Sequence, residues 1–378
     1  MAQWHGSRYD AGWIYRRVSW ETWEELEQYE QIDGASFEKS AFDTLKTSGN
    51  LTYSEDVPDE VDLLIAYYEF TDEYGERVVT PVATVQVEAE SPEFQSLANG
   101  STVQKGMLKA YSCLKTLSDM KCRKTVVIPA GTNAIEKAVS IIEGAGLRTN
   151  APSSDYVTKK DKTFEESDSW LTVVNWLLDS AGFSSAYDDA YGVVQVSKYV
   201  EPTERPLVWT FRNDDESTMG FGVVEENDWR SIPNVYTVNY SSDTETLSAT
   251  ARNIDPNSKA SLPSRGWREK GESETVTELE GATIQERLES LKSLAASRIK
   301  SKSSEITKAK FSTLFVPVNT NDAVGVEYSD KTWRGCIANM AITCNPAGDT
   351  EVEIRNFIHH DLKIEVYGEI LYQGEVSE

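Results

Sequence analysis

The sequence predicts an α+β protein, mostly β, in which a helical or mixed block separates two β-barrel-like domains. Runs of β-branched and aromatic residues bounded by Gly, Pro and Asp fill the first and last parts of the chain. Helical spacing of apolar residues dominates only the part between them. With 378 residues, the chain is also longer than one ordinary domain.

The first block, residues 1–97, is predicted to be a β-barrel domain. Residues 62–72 (DLLIAYYEFTD) are apolar on both alternating faces, as in a strand of a barrel or a sandwich. Residues 71–79 (TDEYGERVV) are typical of a hairpin turn, and Asp33-Gly34 predicts another. The block therefore contains several short strands.

The second block, residues 98–200, is predicted to be helix-rich and mixed. Apolar residues recur at helical intervals over 107–117. Asn133 precedes a second apolar stripe that two glycines end, and a third helix starts at an Asp or Ser and stops at Gly182. Residues 185–199 then predict a β-hairpin.

The third block, residues 201–357, is predicted to be a second β-barrel domain with a helix inserted near 284–300, and 358–378 form a C-terminal segment. Within it, residues 228–266 predict a strand, a polar turn, a second strand and a loop. Asp255-Pro256 and the Asn and Ser side chains favour a rigid loop. That loop is either a docking surface or a purely structural corner.

Charge restricts the function. The 62 acidic residues exceed the 37 basic ones, so the net charge is −25. This charge argues against a protein that binds nucleic acid tightly, because such binding needs basic residues to neutralise the phosphates. A negative wall would instead repel a polyanion that passes by, although an acidic surface can simply serve solubility. Basic residues concentrate over 284–310, which suits self-association or an acidic neighbour, or else a solvated helix face.

The residues offer little chemistry. The three histidines are His5 at one end and the adjacent His359 and His360, which point to opposite faces of an extended run. No nucleophile elbow, zinc-protease motif, phosphate loop or calcium loop occurs, and the acidic pairs, such as Asp188-Asp189, fall in predicted turns facing water. We therefore expect no enzyme activity, no catalytic residue, no metal site and no cofactor.

Other features have two interpretations. Four of the ten tryptophans precede residue 24, where they form a sugar-stacking platform or pin a terminal segment onto a barrel or a neighbouring subunit. The four cysteines lie in two pairs without CxxC spacing and are expected to be buried free thiols. No apolar run is long enough for a membrane helix, and no signal peptide is visible at the N-terminus.

Six phrases occur in a fixed order from about residue 15 to 357. They are SWETWEELEQYEQIDGASFEKSAFDTLKTSGNLTY, PAGTNAIEKAVSIIEGAGL, SWLTVVNWLLDSAGF with the YDDAYGVVQVSKY hairpin, RPLVWTFRNDDES, DWRSIPNVYTV and RNIDPNSKASLPSRG. Together they resemble the hub proteins at the tail tip of long-tailed bacteriophages, also called minor tail proteins, which are related in fold to the hubs of contractile baseplates.

The resemblance implies a structural, non-catalytic role in the virion, after assembly in the cytoplasm of a host bacterium. Such hubs are homotrimers in which each subunit carries two β-barrels, so that three chains present a pseudo-sixfold ring. The ring joins the tail tube or distal tail protein to a tip fibre or spike, and genome DNA passes through it without specific binding. The chain does not continue into a hydrolase or sugar-binding module as many relatives do, so those activities are expected to reside in other proteins.

Self-association or docking would use a limited set of residues on the basic helix, on the polar loop and among the early tryptophans. These candidate interface residues are Arg287, Lys292, Arg298, Lys300, Asn253, Asp255, Arg265, Trp13 and Trp20. Two alternatives remain open at this stage. One is the equivalent hub of a contractile injection machine, and the other is a glycan-binding or glycan-cleaving β protein.

Overall fold

A computed structural model describes most of the chain. The described residues are 4, 7–55, 62–96, 102–202, 204–214, 218–227, 229–242, 245–276, 279, 281–303, 305–358 and 362–373. The three histidines and the predicted boundary at residue 97 lie outside them.

Strands dominate the described residues, which confirms the mostly β prediction. The strands are β1 (Tyr9–Val18), β2 (Glu25–Gln28), β3 (Ile32–Ser40), β4 (Thr47–Glu55), β5 (Leu63–Thr71), β6 (Arg77–Ser96), β7 (Thr102–Ser112), β8 (Val126–Ile128), β9 (Thr149–Asn150), β10 (Lys162–Phe164), β11 (Tyr187–Asp188), β12 (Val194–Gln195), β13 (Leu207–Arg212), β14 (Met219–Asn227), β15 (Val235–Ser241), β16 (Glu245–Asn253), β17 (Gly271–Val276), β18 (Glu305–Leu314), β19 (Ala323–Tyr328), β20 (Lys331–Thr343), β21 (Asp349–Ile358) and β22 (Ile364–Gln373). The helices are α1 (Lys115–Asp119), α2 (Ala134–Gly144), α3 (Trp170–Ser180) and α4 (Ile284–Lys302).

The chain divides into two compact units. Unit 1 comprises residues 1–224 and 310–354, and unit 2 comprises 225–309 and 355–378. These units differ from the predicted blocks, because strands far apart in sequence pair with each other. β20, from the third block, pairs antiparallel with β3 of the first, so that Ala341 lies opposite Glu38.

Unit 1 is built on a large sheet with the strand order β14-β18-β21-β20-β3-β4-β7-β6-β5-β1-β2, and β13 and β19 extend it beside β20. The first four residues of β5 are all buried, so this strand is apolar on both faces, as predicted. No sheet closes on itself among the described residues, so the predicted barrels are not confirmed.

The helical part of unit 1 shares an apolar cluster with β1 and β5 of the large sheet, through Val18, Leu63 and Ile65. The Asn133 side chain accepts hydrogen bonds from the backbone of Ile135 and Glu136, which confirms the predicted start of α2. Ser169 caps α3 in the same way, and Gly182 ends it with a positive φ of 74°. The predicted hairpin is also present, as β11 pairs antiparallel with β12.

Unit 2 is a four-stranded sheet, β17-β15-β16-β22, covered by α4. The predicted strand, turn and strand are β15 and β16, with Val235 opposite Arg252. Leu288, Leu291, Ala295 and Ile299 of α4 are buried against the sheet, as helical spacing predicted.

Two local predictions are wrong. The predicted helix over 107–117 is mostly the end of β7, because Leu108 pairs with Leu51 on one side and Ala89 on the other. The hydrogen bonds of two neighbouring strands override the helical spacing there. Asp33-Gly34 does not turn the chain either, but lies inside β3 at a register shift against β4.

Candidate functional site

The carboxylate pair at 188–189 has a structural role. The Asp188 carboxylate accepts hydrogen bonds from the Ser112 hydroxyl at 2.7 Å and from the backbone N–H of Cys113 at 2.9 Å, and burial raises its pKa. Asp189 accepts from the backbone N–H groups of Tyr191 and Val193 and closes the hairpin. Asp188 therefore faces the protein interior and not water, contrary to the prediction.

The side chains that could bind a metal ion are dispersed over the described residues. Within that part of the chain, His, Cys, Asp and Glu side chains nowhere gather in threes as a metal site would need. Cys113, Cys122 and Cys336 are buried free thiols, and Cys344 is half-buried. Among the described helices, none combines the length and apolar character needed to cross a membrane.

The basic helix is engaged with acids of its own unit. Arg287 makes a two-pronged contact with Glu245, at 2.5 Å from Nε to Oε1 and 2.8 Å from Nη2 to Oε2. Glu245 is only 5% exposed, so this pair is partly desolvated. Arg298 contacts Glu274 on β17 at 2.7 Å, and Lys292 contacts Glu289 at 2.8 Å.

These pairs within one chain neutralise much of the predicted basic surface, so a second subunit is not needed to balance its charge. Lys300 lies in the exposed last turn of α4, beside Lys302. The inter-subunit role of Arg287, Lys292, Arg298 and Lys300 stays a prediction.

The polar loop after β16 is a tightly bonded corner. Asn253 and Ser258 are completely buried, and the Asn253 amide donates to the Ser258 hydroxyl at 3.2 Å. Asp255 is 6% exposed and accepts from the backbone N–H of Asn257 at 2.9 Å. Asn253 and Asp255 therefore hold the loop in shape, and their role at an interface stays a prediction.

Arg265 and its neighbours face outward from that corner. The Arg265 guanidinium donates to the Trp229 carbonyl and lies 5.7 Å from the centre of the Trp229 ring. Arg230 lies against the same indole at 5.2 Å. Two residues after Arg265, Trp267 is 68% exposed. The sequence showed the loop but gave no signal that a tryptophan would project from it.

The early tryptophans pack inside unit 1. The Trp13 indole donates to the Asn345 carbonyl at 2.8 Å and packs against Tyr68, with 5.2 Å between ring centres. Trp20 packs beside Trp23 at 5.8 Å and against the helical cluster. These contacts attach the N-terminal strand to unit 1, as the pinning interpretation predicts, whereas a sugar platform would need open ring faces.

An acid-rimmed cavity of about 580 Å³ lies on one face of the large sheet of unit 1. Glu38, Asp43 and Glu351 are exposed at its rim. Phe311 and Met340, both nearly buried, line its floor. Lys39 and Lys310 also line the cavity, so its four carboxylates outnumber two ammonium groups and its lining is net negative. Sequence reasoning missed the cavity because five separate segments of the chain build it.

Comparison with known proteins gives similarity in structure and none in sequence. No family model matches the chain, and no curated protein matches it either. The tail protein of 43 kDa from prophage MuSo2 of Shewanella oneidensis is similar over 92% of this chain and 98% of its own, with a TM-score of 0.59 and 11% identity. A tail protein from Neisseria meningitidis MC58 is similar over 93% and 97%, with the same TM-score and identity.

A chain of the Francisella PdpA–VgrG complex, in its half-lidded form, is also similar. The likeness covers all of this chain but 61% of the other, with a TM-score of 0.52 and 8% identity. At these identities the likeness establishes the fold. The chain thus has the fold of phage tail proteins, which confirms at that level the resemblance seen in its ordered sequence phrases.

Proposed function

We propose that the protein is the structural hub of a bacteriophage tail tip. Three copies form a ring that surrounds the DNA passage and joins the tail tube or distal tail protein to a tip fibre or spike. The observation that carries the proposal is the likeness to the Shewanella tail protein, which extends over nearly the whole of both chains. Two chains of the same extent and fold suit the same place in an assembly.

The charge of the chain supports this role. Three copies carry a net charge of about −75, and the phosphates of DNA are repelled by such a surface. A passage that repels DNA releases the genome without retaining it. In this proposal the two β domains of each subunit supply the six positions that meet a hexameric tube.

The same proposal assigns no catalytic step to the chain. The described carboxylate pair at 188–189 is used in hydrogen bonds that hold a hairpin, and the early tryptophans are used in packing. The function then rests on shape and contact, with no cofactor, in a virion component that assembles in the host cytoplasm.

The mass and symmetry of the purified protein test the proposal. Light scattering should give about 127 kDa, three times the 42.3 kDa of one chain. Negative-stain electron microscopy of the same fraction should show a threefold ring with a central opening. A monomer at every concentration and salt, or a compact particle without an opening, would contradict the ring.

A second candidate is the equivalent hub of a contractile injection machine. The similarity to the PdpA–VgrG chain extends over the entire length of this chain and favours it as the alternative. Images of the particle that contains the protein separate the two. A tail without a sheath supports the first proposal, and a contractile sheath supports the second.

A further inference from the structure

Trp267 is the most exposed tryptophan among the described residues. Its side chain is 68% exposed, and its backbone adopts a positive φ of 63°, which a bulky residue rarely does. Arg268 and Lys270, both exposed, follow it. Tryptophan beside arginine is the composition of energetic centres in protein interfaces.

The base beneath Trp267 is rigid. The backbone N–H of Trp267 donates to the Leu262 carbonyl at 2.7 Å, and Leu262 is 1% exposed. Leu262 in turn donates to the carbonyl of the buried Asn253 at 3.0 Å. An exposed indole on a fixed base loses little conformational entropy on binding, so it is suited to enter a preformed cavity.

The acid-rimmed cavity of unit 1 has the complementary properties. Its volume of about 580 Å³ falls within the range of roughly 300–1,000 Å³ that holds small-molecule ligands, so an indole fits. Val224 at its edge is 59% exposed and offers apolar contact. Glu38 and Glu351 at the rim carry the charge opposite to that of Arg268 and Lys270.

We propose that Trp267 of one copy enters the acid-rimmed cavity of a second copy, with Arg268 and Lys270 against its acidic rim. The contact joins two different surfaces, and such head-to-tail contacts close into a ring when the rotation between copies permits. We favour a second copy over DNA as the partner of Trp267. This chain carries both Trp267 and an acid-rimmed cavity that can receive it. The inference rests on the proposed function in assuming that copies associate.

Cross-linking of the full chain tests this contact directly. In a Glu269→Cys, Ser48→Cys double variant, which keeps Trp267, one thiol lies two residues from Trp267 and the other in the lining of the cavity. A short thiol-to-thiol linker should produce covalent dimers and trimers, since each copy offers one partner of each kind. Each single variant should give no such ladder, because three of the four native cysteines are buried.

Charge exchange provides the second test. Arg268→Glu with Lys270→Glu should weaken self-association about tenfold or more, and adding Glu38→Lys with Glu351→Lys should restore most of it. Trp267→Ser should weaken it comparably, whereas Tyr74→Ser, at a tyrosine 77% exposed in unit 1, should not. Rescue by the exchanged charges supports the pairing in a way that misfolding cannot imitate.

The outcomes separate the contact from the hub. If the wild-type chain forms trimers but neither the ladder nor the rescue appears, this contact is wrong and the proposed function stands. If the wild-type chain never associates, both are wrong. If Trp267→Ser leaves the mass unchanged but abolishes a shift of duplex DNA, the surface binds nucleic acid and the contact between copies is overturned.

Discussion

Lys39 is a lysine buried in the sheet of unit 1. It is 8% exposed, and its ammonium donates to the Val82 carbonyl at 2.6 Å and to Asn319 Oδ1 at 3.2 Å. Burial lowers the pKa of Lys39 to about 8, against the opposing effect of the nearby carboxylates of Asp188 and Asp322. The structure therefore keeps a charge inside and holds it with carbonyl and carboxylate oxygens.

This burial predicts a pH dependence. Between about pH 8 and the unfolded pKa of 10.5, the unfolded chain binds the Lys39 proton and the folded chain does not. The free energy of unfolding therefore increases as the pH rises through this window. Relative to Lys39→Met, the wild-type chain should gain on the order of 3 kcal/mol across that window. Chemical unfolding at several pH values measures the difference.

The control for this experiment is Lys159→Met, at an exposed lysine. Its stability should follow that of the wild-type chain at every pH. Parallel profiles for the wild-type chain and Lys39→Met would show that Lys39 titrates in the folded state as it does in the unfolded one, and the prediction would be wrong.

Gly49 marks a close approach of two strands. A Cβ atom added there would overlap the carbonyl oxygen of Ser36 and lie 3.0 Å from the Phe37 ring, whereas one added at Gly12 meets nothing within 4 Å. Because backbone cannot move as a side chain does, we expect Gly49→Ala to cost roughly 1–3 kcal/mol of stability. Gly12→Ala, also in a strand, should be nearly neutral, and equal effects in denaturant unfolding would refute the reasoning.

At the scale of elements, α4 carries two arginines in different surroundings. The Glu245 side chain that Arg287 contacts is 7% exposed, whereas Arg298 and Glu274 are 48% and 28% exposed. Arg287→Met leaves the buried Glu245 carboxylate without its partner and should lower stability more than Arg298→Met does. Arg298→Met should cost less than about 1 kcal/mol, since water screens its pair.

Unfolding of the two variants in denaturant checks this difference. The comparison also bears on assembly. Substituting a residue that acts only within the fold lowers stability, whereas substituting a residue at an interface lowers association. If Arg298→Met left stability intact but reduced the mass in light scattering, the basic helix would be an interface, as the sequence predicted.

Elements with local signals were predictable from sequence. Asn133 and Ser169 cap α2 and α3, and Gly182 ends the latter, because each acts on backbone groups within a few residues. The segment over 107–117 was not predictable in this way. Its apolar residues fit a helix, but Leu108 lies between β4 and β6, and that environment is set by residues tens of positions away.

The candidate surfaces also divide into those with local sequence signals and those that distant residues build. The polar loop around Asn253 and Asp255 was recognisable because its hydrogen bonds are local, and its buried side chains agree with a structural corner. The acid-rimmed cavity needs β3, β4, β14, β18, β20 and β21 to meet, which only the sheet order reveals.

At the scale of the whole molecule, the division into two units predicts how the chain unfolds. Unit 1 contains the apolar cluster around α2 and α3, and unit 2 contains a separate cluster beneath α4. Chains with more than one core commonly depart from a single two-state transition. Calorimetry should therefore show two thermal transitions, one for each unit.

Matched cavity-forming substitutions assign these transitions. Leu177 in α3 and Leu291 in α4 are both completely buried, so Leu177→Ala and Leu291→Ala should each remove about 2–5 kcal/mol from their own unit. Leu177→Ala should lower one transition temperature, and Leu291→Ala the other. One shared transition that both variants lower equally would show that the two cores unfold together. Two independent shifts would show that each unit folds on its own core. The cavity of unit 1 and Trp267 of unit 2 would then each be formed before the chains assemble.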